Sequence, residues 1–191
     1  MTQLPAQQTR QLQRPLRTQR LVLRPLEAAD AHRVAHLIGV WDVARNLARV
    51  PHPYQLSDAE TWIAAQADQA AEGTSYVYGV CIPDGGLIGC IGLHQEGAEG
   101  VFELGYWLGM PYWGNGLTTE AAAAVRDFAW QTLKQTCLTS GHFLDNPASG
   151  RVLEKLGFSY RGENTEQFCC ARGEVVVRRN MRWLSPDRRL S

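Results

Sequence analysis

Two patterns of apolar residues follow each other along the chain and predict its strands and helices. Short runs rich in β-branched and aromatic residues, bounded by glycine, proline or asparagine, are typical of strands. Five such runs cover residues 20–26, 76–82, 87–93, 101–108 and 136–143. Two more strands are predicted between residues 158 and 183, around a turn at Arg172 and Gly173. The sequence Pro83-Asp84-Gly85-Gly86 predicts a hairpin turn between the second and third strands.

Apolar residues at helical spacing predict four helices, which cover residues 30–38, 57–72, 118–134 and 146–157. Asp30 is the predicted cap of the first helix, and Ser57 and Glu60 have the spacing of a capping box at the start of the second. Asn146 followed by Pro147 is typical of a helix start, because the missing N–H of proline costs nothing at the first helical position.

The order of these elements predicts an α+β fold around one mixed sheet. The chain has 191 residues, which suits a single domain with a substantial core. Residues 1–19 are rich in glutamine and arginine and contain no acidic residue, so we expect a disordered tail there. An arginine-rich targeting peptide is the alternative. The domain is predicted over residues 20–184, and residues 185–191 are predicted to form a C-terminal tail.

Composition and charge narrow the function classes. Lysine plus arginine and aspartate plus glutamate both number 19, so the net charge is zero, which argues against a nucleic-acid-binding surface over the whole protein. No apolar run approaches the roughly 20 residues needed to span a bilayer, and no apolar segment marks a signal peptide. The five cysteines show no metal-ligand spacing, and we expect reduced thiols in a cytoplasmic protein. His32 and His36 have the spacing of a metal pair on a helix, but no third ligand is evident, so no metal is predicted.

The passage from strand to loop to helix at residues 101–134 is a candidate anion site. Gly114 and Gly116 allow backbone N–H groups to approach a ligand closely. The helix that begins at Thr118 adds unpaired N–H groups and the positive end of its dipole, which suits a phosphate. A glycine-containing connection without a ligand is the alternative. A Walker loop is excluded because no lysine follows the glycines in the loop, and no clean βαβ unit with a ribose-binding acid follows it either.

A second segment, residues 146–158, follows the rules of an ordinary helix except at one position. Asn146, Pro147 and Gly157 are explained as helix start and stop signals. Helix formation does not require Ser149 in the first turn, where its hydroxyl is able to point into a cleft.

Together, the two segments resemble the GNAT superfamily of N-acetyltransferases. The pyrophosphate loop of that family reads Gln/Arg-x-x-Gly-x-Gly/Ala, and residues 113–118 here read Trp-Gly-Asn-Gly-Leu-Thr. Gly116 matches the motif, whereas Trp113 replaces Gln/Arg and Thr118 replaces the small residue. The aromatic residue, the Glu-Ala pair at residues 120–121 and the spacing of Asn146 and Ser149 are similar to the subgroup that acetylates ribosomal-protein N-termini. The resemblance extends over residues 20–183.

The resemblance implies a mostly antiparallel central sheet flanked by helices and split between the fourth and fifth strands. It implies that acetyl-CoA is the cosubstrate and lies in this split. The backbone of the loop would hold the pyrophosphate; the loop consists of Trp113, Gly114, Asn115, Gly116, Leu117 and Thr118. The pantetheine would pair with the strand end, which contains Tyr106, Trp107, Leu108 and Met110. Asn146 and Ser149 would flank the thiol.

One departure from the family concerns the residue that protonates the leaving thiolate. Many members carry a catalytic tyrosine where this chain has Leu153, and the subgroup suggests Ser149 as its substitute. Leu153 also leaves open a non-catalytic CoA-binding sensor or interaction module on the same fold. A larger acyl group is a third possibility.

The general base is sought among acidic residues and histidines near the predicted split. Glu103 is the first candidate, because it shares a strand face with Gly105 and Trp107; a structural salt bridge is the alternative. The further candidates for the base are Glu163, Glu166 and His94. His142 lies near the end of the strand beside the cleft, where a packed or solvent-facing histidine is the more frequent case. An α-amine with a pKa near 7.7–8.0 needs only a modest base, whereas a lysine amine near 10.4 needs a stronger one. The acceptor stays open among a protein N-terminus, a peptide and a small amine. Residues 41–54 are expected to form part of its wall, and the protein is expected to be a monomer or a homodimer.

Overall fold

A computed structural model of the protein describes residues 13–83, 85–96 and 100–189. Within these residues nine strands form one sheet. They are β1 (Leu16–Arg17), β2 (Val22–Pro25), β3 (Ser75–Ile82), β4 (Gly86–Glu96), β5 (Val101–Leu108), β6 (Cys137–Phe143), β7 (Ser159–Tyr160), β8 (Thr165–Cys169) and β9 (Glu174–Leu184). The strand order is β1-β2-β3-β4-β5-β6-β9-β7, and β8 also pairs with β9. All neighbours are antiparallel except β5 and β6.

Helices cover both faces of the sheet. They are α1 (Ala31–Ile38), α2 (Trp41–Ala44), α3 (Leu56–Glu72), α4 (Leu117–Gln131), α5 (Pro147–Lys155) and α6 (Pro186–Arg189), with short 3-10 turns at Ala28–Asp30 and Met110–Tyr112. α1 and α3 pack on one face, whereas α4 and α5 pack on the other. The predicted α+β fold with a mostly antiparallel sheet flanked by helices is confirmed. In the described residues no helix is long and apolar enough to cross a membrane.

The core is built from strands that are buried on both faces. In β3, Tyr76 and Tyr78 point to α4, where both rings meet Phe128 edge-on, and Val77 points to the opposite layer beside α1 and α3. Successive side chains of a strand point to opposite faces, so one apolar run supplies both layers. The long apolar strands are therefore central strands of this sheet.

The predicted N-terminal tail is wrong for the residues just before Arg20. Leu16 and Arg17 form β1 and pair with Leu23 and Val22, and the Gln13 side chain donates a hydrogen bond of 2.5 Å to the Val77 carbonyl. Composition did not indicate this order because the contacts that create it come from distant parts of the chain. Residues 1–12 of the predicted tail lie outside the described residues.

The C-terminal end also differs from the prediction. The structure has the short helix α6 instead of a tail from residue 185, and Trp130 donates a hydrogen bond of 2.9 Å from Nε1 to the Asp187 carboxylate. Residues 158–183 form three strands instead of two. β9 is long enough to pair with β8 along its first half and with β7 further on, so a second short strand fits the same edge.

Two helix starts use different contacts from those predicted. The capping box of α3 lies two residues earlier than predicted and consists of Gln55 and Asp58 instead of Ser57 and Glu60; the Asp58 carboxylate accepts from the Gln55 backbone N–H at 2.8 Å. Asp30 stands at the start of α1, but its carboxylate accepts from Arg24 and from the backbone of Glu27. Burial alone would raise the pKa of Asp30, yet these hydrogen bonds lower it below the ordinary value.

The close approach of β4 to β5 depends on Gly89. A Cβ at Gly89 would lie 2.7 Å from the Leu108 Cα and would also collide with the backbone carbonyl of Trp107. We expect Gly89→Ala to lower the free energy of unfolding by about 1–3 kcal/mol, because overpacking against backbone forces the strands apart. Chemical denaturation measures this loss. Gly105→Ala is the control, since its Cβ would meet only a His94 carbon at 3.9 Å; equal stability of all three proteins would contradict the argument.

Candidate active site

The parallel strands β5 and β6 separate soon after they meet. Their register contains only Phe102 opposite Leu138 and Glu103 opposite Thr139. Beyond these pairs, the Ser140 hydroxyl donates a hydrogen bond of 2.7 Å to the Leu104 carbonyl. Among the described residues no strand pairs with the β6 side of β5 from there to Leu108, whereas β4 stays paired with the opposite edge. Since alternate residues of a strand point their backbone groups to opposite neighbours, the N–H and C=O of Tyr106 face this split.

The first turn of α5 stands across the split from Tyr106. The Tyr106 hydroxyl donates to the Ser149 carbonyl at 3.0 Å and lies 2.9 Å from Ser149 Oγ, where either hydroxyl is able to donate. The Asn146 side chain caps α5 and accepts from the Ser149 N–H at 3.3 Å. Burial raises the pKa of Tyr106, which keeps its hydroxyl protonated at neutral pH. The two hydroxyls therefore form a proton-donating pair inside the split.

Close packing behind α5 fixes the position of this pair. A Cβ at Gly150 would lie 2.6 Å from His142 Nε2 and 2.9 Å from the Tyr160 hydroxyl. His142 is buried, and its ring nitrogens lie 2.8 Å from the Phe143 carbonyl and 3.2 Å from the Tyr160 hydroxyl. His142 thus belongs to the support of α5, and the prediction that it is a packed residue describes it better than that of a base.

The loop from β5 to α4 has the backbone conformation that its glycines allow. Gly114 and Gly116 have φ values of 77° and 74°, in the left-handed region that favours glycine. Gly116 is the N-cap of α4, so the first N–H groups of the helix are directed out of its end beside the loop. Trp113 turns its indole N–H back to the Leu108 carbonyl at 2.7 Å, while Asn115 donates to the Trp113 carbonyl at 3.0 Å. The loop is thus a compact turn that presents backbone N–H groups.

A cluster of ionisable groups lies on the other face of β5. The Arg178 guanidinium forms an ion pair with the Glu103 carboxylate and donates a hydrogen bond to it, and the Thr139 hydroxyl donates to the Glu96 carboxylate at 3.1 Å. Burial raises the pKa of Glu103 to about 7; the positive charge of Arg178 opposes this rise, and the Glu96 carboxyl adds to it. A carboxyl with such a pKa exchanges its proton near neutral pH.

His94 lies directly across the strand pair from Glu103. Its Nδ1 is 3.0 Å from the Ser75 hydroxyl, and burial, followed by the charge of Arg49, lowers its pKa. Gly92 and Gly105 form the next cross-strand pair on this face. Neither residue has a side chain, and the His94 ring lies over both: a Cβ at Gly92 would be 3.3 Å from His94 Nε2, and one at Gly105 would be 3.9 Å from His94 Cδ2.

Glu103 and Tyr106 belong to opposite sides of one strand. They are three positions apart, so their side chains leave opposite faces of β5 and their Cα atoms are about 10 Å apart along it. The ionisable cluster and the hydroxyl pair therefore flank the split from two sides. A reaction in which one group takes a proton and the other gives one fits this arrangement.

The other predicted residues differ in how deeply their side chains are buried. The side chains of Leu108 and Leu117 are buried in the core beside α4, so only their backbone is able to contact a ligand, whereas Met110 and Trp113 are exposed. Trp107 packs against the layer of α1 and α3. Glu163 and Glu166 are exposed. The predicted acceptor wall, residues 41–54, contains α2 and an exposed Trp41 that contacts His52.

Sequence reasoning missed the side chains that complete the site. Tyr106 was predicted to contribute only its backbone, and neither Glu96 nor Arg178 was predicted at all. Alternation along β5 puts the Tyr106 side chain on the other face of the strand from Glu103. It does not indicate the partner of Tyr106, which is Ser149 on α5, 43 residues away along the chain. In the described part of the chain no group of three or more His, Cys, Asp or Glu residues has a geometry for a metal ion.

Comparison with known proteins identifies the family. The family described as acetyltransferase (GNAT) domain matches residues 20–159. The "Probable N-acetyltransferase YjcK" of Bacillus subtilis is 30% identical over 156 residues, which cover 77% of this chain and 84% of that protein. YdaF of Bacillus subtilis, named as a candidate ribosomal N-acetyltransferase, is 26% identical over 151 residues and covers 75% of this chain and 80% of its own.

Solved structures share the fold. A candidate ribosomal-protein-serine acetyltransferase from Vibrio cholerae has a TM-score of 0.73 and 21% identity, covering 90% of this chain and 97% of its own. The spermidine N-acetyltransferase from Vibrio cholerae in complex with CoA and spermine has a TM-score of 0.74 and 18% identity, covering 87% and 96%. The family match over most of the chain and the relative at 30% identity show that this chain belongs to the GNAT family of acetyltransferases.

Proposed function

We propose that the protein transfers an acetyl group from acetyl-CoA to a primary amine, with a protein or peptide N-terminus as the first candidate acceptor. The observation that carries this proposal is the split between β5 and β6, with the Tyr106–Ser149 hydroxyl pair on one side and the Glu103 carboxyl on the other. The names of YdaF and of the Vibrio serine acetyltransferase support a protein acceptor. The spermine complex of a structural neighbour makes a small amine the alternative.

The cofactor is proposed to lie along the split with its pyrophosphate at the loop. The free N–H groups between Gly114 and Thr118 and the positive end of the α4 dipole suit a phosphate anion. The pantetheine would pair with the unpartnered backbone of Tyr106, as a further strand does. This course brings the thioester to the first turn of α5, beside Asn146 and Ser149.

In the proposed reaction, the neutral amine nitrogen attacks the thioester carbonyl carbon directly. The amine then gives a proton to Glu103, directly or through a water. The Glu103 side chain lies on the face of β5 opposite the thiol pocket, so this proton leaves on the side away from the departing sulfur. The C–S bond then breaks, and the departing sulfur receives a proton or hydrogen bond from the Tyr106–Ser149 pair. A backbone N–H near the end of β5 would stabilise the oxyanion.

The hydroxyl pair also bears on the non-catalytic alternative. Leu153 stands where many family members have a catalytic tyrosine, and it is completely buried in the core. Tyr106 delivers a phenol to the same region from β5. The absence of tyrosine at residue 153 therefore no longer favours a sensor without activity.

An acceptor screen tests the function directly. Release of free CoA thiol is measured with acetyl-CoA and equal concentrations of N-terminal peptides, lysine peptides, polyamines and aminoglycosides. The expected result is fastest release with an N-terminal α-amine, whose pKa near 7.7–8.0 is close to that of the Glu103 carboxyl. Mass spectrometry of the peptide locates the acetyl group. Binding of CoA without turnover of any amine would contradict the proposal.

Gly116→Val tests the loop as the phosphate cradle. A β-branched side chain at this left-handed position costs roughly 1–2 kcal/mol and occupies the cradle, so we expect CoA affinity to fall about tenfold or more. Isothermal calorimetry with CoA measures the change. Gly173→Val is the control, because Gly173 has a φ of 67° in the β8–β9 turn, far along the chain from the loop. Equal affinity of Gly116→Val and the unaltered protein would remove the loop from the site.

Ser149→Ala and Tyr106→Phe test the leaving-group side. Each variant should lower turnover about tenfold or more while acetyl-CoA affinity changes little, because the interaction strengthens as the thiolate forms. Stopped-flow single-turnover kinetics isolates the chemical step. Ser159→Ala is the control, since its exposed hydroxyl contacts the Arg182 carbonyl, at 3.5 Å, where β7 pairs with β9. An unchanged single-turnover rate in both active-site variants would exclude the hydroxyl pair from the chemistry.

Glu103→Gln tests the base. Because the pKa of Glu103 is raised to about 7, the carboxylate form that accepts a proton predominates only above that pH. Activity of the unaltered protein should therefore rise through pH 7, and the variant should lose roughly 10²–10⁴-fold at neutral pH. The loss should shrink as pH rises, since more amine is then deprotonated in solution.

Glu96→Gln is the matched control for this experiment. Removal of the neighbouring carboxyl takes away one cause of the raised pKa of Glu103, so the acidic limb of the pH–rate profile should move to lower pH with activity retained. Full activity of Glu103→Gln at pH 7 with intact CoA binding would show that Glu103 is structural. The base would then be His94, Glu163 or Glu166, or the enzyme would capture free amine from solution.

A further inference from the structure

Arg20 lies between β1 and β2, yet it contacts the loop and helix that follow β5. Its Nη1 donates to the Asn115 carbonyl at 2.9 Å. Its Nε donates to Glu120 Oε2 at 2.7 Å, and its backbone N–H donates to Glu120 Oε1 at 2.8 Å. Thr18 adds a hydrogen bond of 2.5 Å to the same carboxylate. The N-terminal segment is therefore fixed to the start of α4.

These contacts change the charge at the end of α4. Glu120 lies in the first turn of the helix, where an unpaired carboxylate would repel an incoming phosphate. Burial alone would raise its pKa, but hydrogen bonds from Thr18 and Arg20 lower it, so Glu120 is ionised at neutral pH. Arg20 neutralises this negative charge and keeps the helix end suited to an anion.

The third nitrogen of the guanidinium lies over the loop itself. A Cβ at Gly116 would be 3.7 Å from Arg20 Nη2, and no other atom outside the loop would be as near. The residue in the loop that corresponds to Gln/Arg of the family motif is Trp113, and its indole N–H is used on the Leu108 carbonyl. The Trp113 side chain therefore directs no polar hydrogen at a ligand of the loop, whereas Arg20 Nη2 brings N–H donors to the edge of the loop.

We propose that Arg20 is part of the phosphate site of the cofactor, although it precedes the loop by 95 residues. Nε and Nη1 hold the guanidinium on Glu120 and Asn115, and Nη2 faces the phosphate held by the loop. Arginine suits this role because its planar fork binds two partners and keeps donors for a third. This inference rests on the proposed binding of acetyl-CoA.

The exposure of Arg20 sets the expected size of the effect. Its side chain is 47% exposed, so salt screens its attraction to a phosphate more than in a buried pair. A hydrogen bond to a charged group of this kind corresponds to about tenfold in affinity. Arg20→Gln should weaken CoA binding by about that factor.

The experiment compares Arg20→Gln with Arg17→Gln by calorimetry with CoA at low and high salt. Arg17 is the matched control, because it lies on the same segment and its side chain is exposed. Arg20→Gln should bind CoA about tenfold more weakly and show a smaller loss of affinity with salt than the unaltered protein. Arg17→Gln should behave as the unaltered protein does.

A substrate without phosphates separates a phosphate contact from a general loosening of the site. The kcat/KM for S-acetylpantetheine should be the same in Arg20→Gln and in the unaltered protein. CoA affinity within twofold of the unaltered protein, or an equal loss with S-acetylpantetheine, would overturn the inference. Failure of the unaltered protein to bind CoA would instead overturn the proposed function, so the two failures are distinguishable.

Discussion

The early separation of β5 and β6 is the constraint on which the site depends. Two residue pairs join these strands. One further contact, the hydrogen bond from the Ser140 hydroxyl to the Leu104 carbonyl, lies just beyond them. Beyond that point the backbone N–H and C=O groups of β5 that face β6 have no strand partner. Burying such groups unpaired is costly, so an extended ligand with its own amide groups is suited to lie there. The first turn of α5 stands at this gap, where it is packed on His142 and Tyr160 and accepts a hydrogen bond from Tyr106.

A split in the middle of a sheet also keeps apart the two groups that we propose for proton transfer. Side chains alternate along β5, so Glu103 and Tyr106 emerge on opposite faces without any loop having to position them. Each is fixed by a partner outside β5: Arg178 on β9 holds Glu103, and Ser149 on α5 faces Tyr106. Rigid strands and helices thus set the geometry of both groups, which favours precise catalysis over adaptable binding.

The sequence predicted elements better than contacts, for a physical reason. The glycines of the loop, the cap at Asn146 and the apolar runs of β3 to β5 depend on neighbouring residues, so local patterns indicate them. The pairs Glu103–Arg178 and Tyr106–Ser149 join residues 75 and 43 positions apart, and no local pattern specifies which side chains meet. Glu103 was identified because it shares a strand face with Gly105 and Trp107, whereas Arg178 carried no signal in its own strand.

Amino-acid composition alone does not predict the ordered structure of the N-terminal segment. Residues 13–19 lack an apolar period, and low hydrophobicity predicts disorder when a segment has only its own residues to bury. Here the segment is ordered by donors and acceptors of other elements: Val77 accepts from Gln13, and Glu120 accepts from Thr18 and Arg20. A carboxylate in the first turn of a helix is a strong acceptor of such bonds. The Glu120 carboxylate also stands beside the loop that follows β5. One residue therefore both orders the N-terminal segment and places a negative charge, paired with Arg20, next to that loop.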